Sequence, residues 1–184
     1  MKTLIISGAP NFTGQTAFLE EVFLRYARGD ITLIRAFDAK ISPCIDCKYC
    51  SNVFGCAIKD DMGTIYDGMD DFDNVMVFSP VYFATLPGPV LNVLSRFQIM
   101  FAARHIRGDK ISLKPKRGGV ILSMGGFDPV KYGAQGALEA SKTLLNILNA
   151  RLVDTVVACN TDAVPVQEDQ EIQSRVADLA AKIF

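Results

Sequence analysis

Five short apolar segments divide the chain, and a stretch with helical periodicity follows each of them. The first segment stops at the turn-forming residues Gly8 and Pro10, and its length suits a buried strand. Leu19, Val22 and Phe23 then recur at the spacing of one face of an α-helix. The five predicted strands are TLIIS, ITLIRAF, NVMVFS, GVILSM and DTVVAC. Strands that alternate with helices in this way predict a parallel sheet with helices packed on both faces.

This alternation also limits the topology. Crossovers between parallel strands are right-handed, and five strands in 184 residues suit the flavodoxin-like order 2-1-3-4-5. The predicted fold class is therefore α/β, a flavodoxin-like three-layer sandwich. The sequence contains no repeat, low-complexity tract or linker. We expect residues 1–184 to form a single domain with a cysteine-rich loop at 42–60.

Composition and charge argue against several classes of partner. Apolar residues make up 49% of the chain and charged residues 21%, which is typical of a soluble globular protein. A net charge of −1 favours neither nucleic acid nor an anionic membrane surface as a partner. The apolar run in MKTLIISGAP is too short for a signal peptide, and no segment reaches the length of a membrane span. We therefore expect a cytoplasmic protein, in which clustered cysteines more often bind metal or perform redox chemistry.

The loops after strands 1, 3 and 4 are the expected ligand-binding edge, because ligands bind such sheets beyond the carboxyl ends of the strands where strand order reverses. The first loop, SGAPNFTGQT at Ser7–Thr16, is rich in hydroxyl groups and opens onto a helix N-terminus, which attracts phosphate. Gln15 occupies the position at which a Walker A motif requires Lys, and the chain contains no GxGxxG. The loop therefore favours a terminal monophosphate held by neutral donors; the alternative is an ordinary strand–helix turn.

The loops after strands 3 and 4 supply apolar and flexible elements. In SPVYFATLPGP, Tyr82 and Phe83 form either a rigid wall for a flat ring or ordinary core contacts. In SMGGFDP, the paired glycines Gly125 and Gly126 permit close approach of a ligand, or simply a turn with positive φ. The convergence of three such loops at one edge of the sheet predicts a binding site more strongly than any one loop.

Four of the five cysteines lie in SPCIDCKYCSNVFGC, with the spacing C-x2-C-x2-C-x5-C. Four thiolates this close together can ligate a [4Fe–4S] cluster, as the C-x2-C-x2-C runs of ferredoxins do. Zinc sites also use four cysteines, but usually as two C-x2-C pairs set farther apart. Free thiols and a redox-active disulfide are the remaining alternatives. The candidate metal ligands are Cys44, Cys47, Cys50 and Cys56.

The motifs SGAPNFTGQT, PCIDCKYCSNVFGCAIKDDM, SPVYF and GGF follow one another over residues 3 to about 130. Through them the chain resembles the flavodoxin-like NAD(P)H-dependent FMN reductases and, among these, the iron–sulfur flavoprotein branch. The resemblance implies a bound FMN with its phosphate in the first loop, its ring against SPVYF and its pyrimidine edge near the paired glycines. The implied cofactor-binding residues are Ser7, Ala9, Asn11, Thr13, Gly14, Gln15, Thr16, Pro80, Val81, Tyr82, Phe83, Met124, Gly125 and Gly126.

The resemblance also implies an activity. It is an FMN-dependent oxidoreductase that passes electrons from NAD(P)H through bound FMN to a small-molecule acceptor such as a quinone or flavin. The alternative is an iron–sulfur flavoprotein that carries electrons between ferredoxin-type donors and FMN. Flavin N5 would be the reactive centre, so we expect no side chain to act as an essential acid or base. Relatives of this kind imply a homodimer or homotetramer. Asn11 stands where family members often carry Arg, which leaves the preference between NADH and NADPH open. Ala84 replaces the family's Gly or Ser, which implies a narrower face for stacking of a second substrate.

Three further features have simpler interpretations. The lone histidine, His105, is expected at the surface beside Arg104 and Arg107. Cys159 is expected to be a small buried hydrophobe. The basic stretch 104–117 is expected to be a solvated connection; the alternative is that it attracts a nucleotide phosphate or an acidic partner.

Overall fold

The computed structural model describes residues 1–126 and 133–184. Five parallel strands form one sheet in the order β2-β1-β3-β4-β5, so the predicted α/β class and flavodoxin-like topology are confirmed. The strands are β1 (Lys2–Ser7), β2 (Asp30–Arg35), β3 (Asn74–Pro80), β4 (Lys116–Ser123) and β5 (Ala150–Ala158). Each contains one of the predicted apolar segments or most of it.

Helices cover both faces of the sheet, as a three-layer sandwich requires. Successive strand residues point to opposite faces, so Leu4 and Ile6 join one hydrophobic cluster while Ile5 joins the other. The helices are α1 (Gln15–Leu24), α2 (Tyr49–Asn52), α3 (Met62–Gly68), α4 (Gly88–Ser95), α5 (Gln98–Phe101), a π-helix (Ala102–Arg107), α6 (Gln135–Ile147) and α7 (Gln170–Ile183). Helices α3, α4 and α6 contribute to the first cluster, and α1 and α7 contribute to the second.

Gly8 brings the first loop close to the centre of the sheet. Its N–H donates to the carbonyl of Phe78 at 2.6 Å. A Cβ at this position would lie 2.7 Å from Val90 Cγ2 and 2.8 Å from Ser79 Oγ, so only glycine fits without displacement of its neighbours. The loop that was predicted to hold phosphate therefore starts against β3 and α4.

Two local details of the helices add to the sequence-based expectations. The N–H of Met62, at the start of α3, is capped by Asp60, whereas the side chain of Asp61 accepts from the N–H of Lys40. A π-helix at Ala102–Arg107 follows α5, and no sequence pattern indicated it. Within the described residues, no helix has both the length and the apolarity needed to cross a bilayer.

Candidate functional site

A cavity lies at the carboxyl edge of the sheet and is lined by the loops after β1, β3, β4 and β5. The strand register explains why these loops meet. Ser7 pairs with Phe78, Pro80 with Ser123, and Ser123 in turn with Ala158, so the four strands end at nearly the same level. The expected position of the site, beyond strands 1, 3 and 4, agrees with this arrangement.

The cavity includes most of the predicted cofactor-binding residues, and the others lie just outside it. Those that line it are Asn11, Gly14, Gln15, Thr16, Pro80, Val81, Tyr82, Met124 and Gly125. Those that do not are Ser7, Ala9, Thr13, Phe83 and Gly126. Ser7 and Ala9 are buried, and Ser7 Oγ accepts from the Ala9 N–H at 3.3 Å, which makes them part of the loop's own structure. Phe127, the aromatic of the GGF motif, lies outside the described residues.

The N-terminus of α1 is the best candidate phosphate site in this cavity. Gly14 precedes the helix, no side chain caps its first N–H groups, and its first turn carries no acidic residue. Gln15, Thr16 and Ala17 line the cavity from this first turn. Free N–H groups and the positive end of the helix dipole favour an anion. Among the described residues that line the cavity none is Lys or Arg, so the donors that they offer to an anion are neutral.

A buried pair of hydroxyl groups joins the first loop to the end of β4. Thr16 Oγ1 and Ser123 Oγ are 2.7 Å apart, and both residues are 3% exposed. Gln15 is fixed in a similar way, because its Oε1 accepts from the N–H of Val166 at 2.9 Å. The start of α1 is therefore tied to β4 and to the segment after β5.

The turn after β3 separates the two aromatic residues that sequence analysis grouped together. The backbones of Tyr82 and Thr85 exchange two hydrogen bonds of 2.9 Å, and both residues between them have positive φ, 48° at Phe83 and 63° at Ala84. Tyr82 lines the cavity. Phe83 lies at the tip of the turn and is fully exposed, so only Tyr82 faces the cavity in the described structure.

The loop after β5 also forms part of the site, which the sequence analysis missed. The N–H of Thr161 donates to the carbonyl of Met124 at 3.1 Å, and the N–H of Asn160 donates to the carbonyl of Gly126 at 3.2 Å. The side chain of Asp162 lies against Gly125 so closely that a Cβ there would collide with its carboxylate. Thr161 itself lines the cavity. The predicted strand order could have indicated this loop, because β5 lies next to β4 and its carboxyl end meets the same edge of the sheet.

A second cavity contains all four clustered cysteines. Cys44, Cys47, Cys50 and Cys56 line it together with apolar side chains that include Ile58 and Ile99. Burial, followed by the negative charges of the other three cysteines, raises the pKa of the Cys50 thiol. The four cysteines therefore border the same space. In the described part of the chain none of them forms a disulfide, and no three ligating side chains converge on a position for one metal ion.

Arg96 holds the two ends of the cysteine loop together. Its Nη1 donates to the carbonyl of Ser42 at 3.0 Å and to Asp60 Oδ2 at 2.6 Å, and its Nη2 donates to the carbonyl of Ile58 at 3.1 Å. The Asp60 carboxylate also accepts from the N–H groups of Ser42 and Met62. Burial alone would raise the pKa of Asp60, but these hydrogen bonds outweigh it and hold the pKa below its usual range. The loop is thus closed at both ends by a buried ion pair.

One donor of Arg96 is left without a partner. Its side chain is 1% exposed, it lines the cysteine cavity, and its Nε has no hydrogen-bond acceptor among the described residues. An unpaired buried donor costs about 1–3 kcal/mol, so native structures rarely keep one without a reason. The orphaned N–H lies on the side chain that borders the four thiols.

The basic stretch 104–117 is mostly bound to the protein rather than solvated, contrary to expectation. Arg107 contributes most, since it donates to the carbonyls of Cys50 and Val53 in the cysteine loop and pairs with Asp109. Arg104 donates to the carbonyl of Ile147 at 3.2 Å. Hydrogen bonds between such distant positions leave no local trace in the sequence.

The remaining two predictions have different outcomes. His105 is exposed, as expected, and its ring packs against the ring of Phe101. Cys159 is half-buried rather than fully buried, and its thiol lies 3.6 Å from the carbonyl of Val157.

Comparison with known proteins adds independent information. Residues 1–163 match a family model described as NADPH-dependent FMN reductase. An iron–sulfur flavoprotein of Methanocaldococcus jannaschii is 30% identical over 125 residues, and the chain spans 65% of the length of that relative. The alignment also covers 65% of this chain.

Two solved structures share the fold over nearly all of this chain. An FMN-dependent NADH-azoreductase from Bacillus anthracis, in complex with FMN, has a TM-score of 0.66 at 14% identity, with 98% of each chain covered. An NAD(P)H:quinone oxidoreductase from Methanothermobacter marburgensis has a TM-score of 0.73 at 11% identity, with 98% of this chain and 94% of that chain covered. Identities this low bear on the fold alone.

Proposed function

Because the chain belongs to the family of NADPH-dependent FMN reductases, we propose that it binds FMN at the carboxyl edge of the sheet and oxidises NAD(P)H. Membership of this family agrees with the predicted class of enzyme, an NAD(P)H-dependent flavin oxidoreductase. The acceptor that we propose is a quinone, a flavin or a similar small molecule. Two proteins that share the fold, the azoreductase and the quinone oxidoreductase, are named for acceptors of this kind, which supports the proposal.

The observation that carries the proposal is the uncapped N-terminus of α1 in a cavity with neutral donors. We propose that the N–H groups at Gln15, Thr16 and Ala17 hold the FMN phosphate, with the Thr16 hydroxyl fixed by Ser123. Tyr82 would supply an apolar wall for the ring, and the glycine turn at 125–126 would leave space along its edge. Bound FMN would supply the electron transfer between nicotinamide and acceptor. The protein would position the two substrates and exclude water from the stacked rings.

A titration with two flavins tests this site. We expect FMN to bind at least about tenfold more tightly than riboflavin, because only FMN carries a phosphate for the helix N-terminus. Thr16→Val keeps the shape of the side chain but removes the hydroxyl, and we expect it to weaken FMN binding about tenfold. Thr143→Val on the exposed face of α6 is the matched control and should bind FMN normally. Equal affinity for FMN and riboflavin would contradict the proposed phosphate site.

A second candidate function concerns the cysteine loop. We propose that Cys44, Cys47, Cys50 and Cys56 ligate a [4Fe–4S] cluster, and that the chain passes single electrons between a ferredoxin-type donor and FMN. The four thiols line one cavity with an orphaned buried N–H, and a relative named iron–sulfur flavoprotein supports the assignment. Three cysteines at every third position suit a cluster better than zinc, whose four-cysteine sites usually consist of two C-x2-C pairs set farther apart.

Iron and sulfide analysis of protein purified without oxygen tests the cluster. We expect close to four irons for each chain, and a loss of most of this iron in Cys47→Ser. Cys159→Ser is the matched control, because Cys159 lies outside the cysteine cavity and its removal should leave the iron content unchanged. Protein that holds zinc, or no metal, after anaerobic purification and reconstitution would contradict this candidate. Steady-state oxidation of NAD(P)H with a quinone separates the enzyme from the pure carrier.

Three broader expectations remain proposals. We propose that residues 1–184 act as one flavin-binding domain and that the protein works in the cytoplasm. We also propose a homodimer or homotetramer. Exposed apolar side chains around the cysteine loop, among them Ile45, Phe54 and Ile106, support an association between copies.

A further inference from the structure

The Arg96 side chain holds both ends of the cysteine loop, and one of its three nitrogen atoms takes no part in these contacts. Nη1 and Nη2 donate to three acceptors at the two ends of the loop. Nε is buried and lacks a partner among the described residues, although the side chain borders the cavity that holds the four thiols. Arg96 thus combines an unpaired buried donor with a position at the edge of the cavity that the four cysteines line.

We propose that Arg96 donates its Nε–H to a sulfur atom of the bound cluster and thereby raises the reduction potential of that cluster. This inference rests on the cluster assignment made above. Hydrogen bonds to the sulfur atoms and the local charge are two of the main determinants of cluster potential. A guanidinium stays protonated under all working conditions, so it favours the reduced, more negative form of the cluster. Arg96 is thus a positioning and tuning residue, fixed by Asp60 and by two backbone carbonyls.

The rigid attachment of Arg96 is what allows it to act in this way. Its guanidinium is anchored by three hydrogen bonds, and its backbone carbonyl accepts from the Tyr66 hydroxyl at 2.8 Å. The adjacent Ser95 Oγ accepts from the N–H of Cys44 at 3.0 Å, so the same helix end holds the first cysteine. These contacts fix the Arg96 side chain relative to both ends of the cysteine loop.

Three variants separate tuning from simple support of the loop. Arg96→Gln removes both the charge and the Nε–H, whereas Arg96→Lys keeps a charge but has no equivalent N–H. Arg107→Gln removes the other arginine that is bound to the loop, which does not line the cavity. Arg104→Gln is the control, since Arg104 bonds only to the carbonyl of Ile147 among the described residues.

The measurement is the midpoint potential of the cluster, by anaerobic titration with iron and sulfide counted in each sample. We expect Arg96→Gln to lower the equilibrium constant for one-electron reduction of the cluster about tenfold, which corresponds to a midpoint potential about 59 mV more negative. Arg96→Lys should give a smaller negative shift, and so should Arg107→Gln, because Arg107 is bound to the carbonyl of Cys50 but does not line the cavity. Arg104→Gln should keep the potential of the unaltered protein. A loaded Arg96→Gln protein with an unchanged potential would overturn the role of Arg96 and leave the cluster assignment intact. Unaltered protein that cannot be loaded with iron overturns both.

A measurement on the unaltered protein covers the case in which Arg96 variants fail to fold. Protein labelled with 15N only in arginine is reduced, and pulsed electron paramagnetic resonance then detects nitrogen coupled to the cluster spin. Arg96 is the arginine that lines the cavity in the described structure, so we expect one strongly coupled arginine nitrogen. The same spectrum from Arg107→Gln serves as the reference. Absence of any coupled arginine nitrogen would refute the proposed hydrogen bond.

Discussion

Asp60→Asn tests whether the ion pair beneath the cysteine loop holds that loop in place. Asp60 and Arg96 are 10% and 1% exposed, and Asp60 Oδ2 accepts from Arg96 at 2.6 Å and from the N–H of Ser42 at 3.1 Å. The amide places either an uncharged oxygen or an N–H where the carboxylate stood. The lost charge-assisted bond costs about 1.5–3 kcal/mol and the weakened neutral bond about 1 kcal/mol. We therefore expect a loss of about 3 kcal/mol, near the lower end for a broken buried ion pair.

Urea denaturation and limited proteolysis measure this effect on the whole fold and on the loop. A loss of about 3 kcal/mol is a large part of the 5–15 kcal/mol typical of a domain, so the urea midpoint should fall clearly. Proteolytic cleavage within 42–60 should become faster. Asp46→Asn is the matched control in the same loop, because Asp46 pairs with Lys48 in a highly exposed position and tolerates Asn at its positive φ. Equal urea midpoints for both variants would refute the reasoning.

Three further predictions follow from other parts of the structure. The pKa of Asp60 is lower in the folded protein than its unfolded value of 3.8, so the stability that its ionised carboxylate provides should be complete above pH 3.8. This stability should be lost as the pH falls through the folded-state pKa, and below that pH the unaltered and Asp60→Asn proteins should have the same urea midpoint. Ala84→Gly should raise the unfolding free energy by about 0.5–1 kcal/mol, since Ala84 has a φ of 63°, and a lower urea midpoint would contradict this. Arg35→Met should cost about 3 kcal/mol in the same assay, because it leaves Glu20, 2% exposed, as an unpaired buried carboxylate; the result would be contradicted by an unchanged midpoint.

The sheet was predictable because its determinants are local and repeated. Alternation of apolar strands with helical periodicity indicated the parallel sheet, and right-handed crossovers restricted the strand order. The first helical turn of α4 contains Pro89, as its fixed φ predicts. The order of the strands along the chain was therefore enough to predict that the loops after β1, β3 and β4 lie at one edge of the sheet.

The parts of the site that sequence reasoning missed depend on contacts between distant positions. Arg96 meets its acceptors across 36 to 54 residues of chain, and Arg107 meets its loop carbonyls across 54 and 57 residues. No local pattern distinguishes these arginines from solvated ones. The exposure of Phe83 was missed for a different reason. Phe83 and the residue after it both have positive φ, which turns the Phe83 side chain outward, but the sequence has no Gly or Asn there to indicate such a turn.

The central claim is that this chain is an FMN-dependent NAD(P)H oxidoreductase, and an anaerobic titration with NADPH tests it most directly. The purified protein is first supplied with FMN, freed of excess flavin, and then followed by flavin absorbance as NADPH is added. The account predicts close to one FMN for each chain and full bleaching of its absorbance, with recovery on addition of a quinone. Protein that retains no FMN, or retained FMN that NADPH and NADH leave oxidised, would contradict the account.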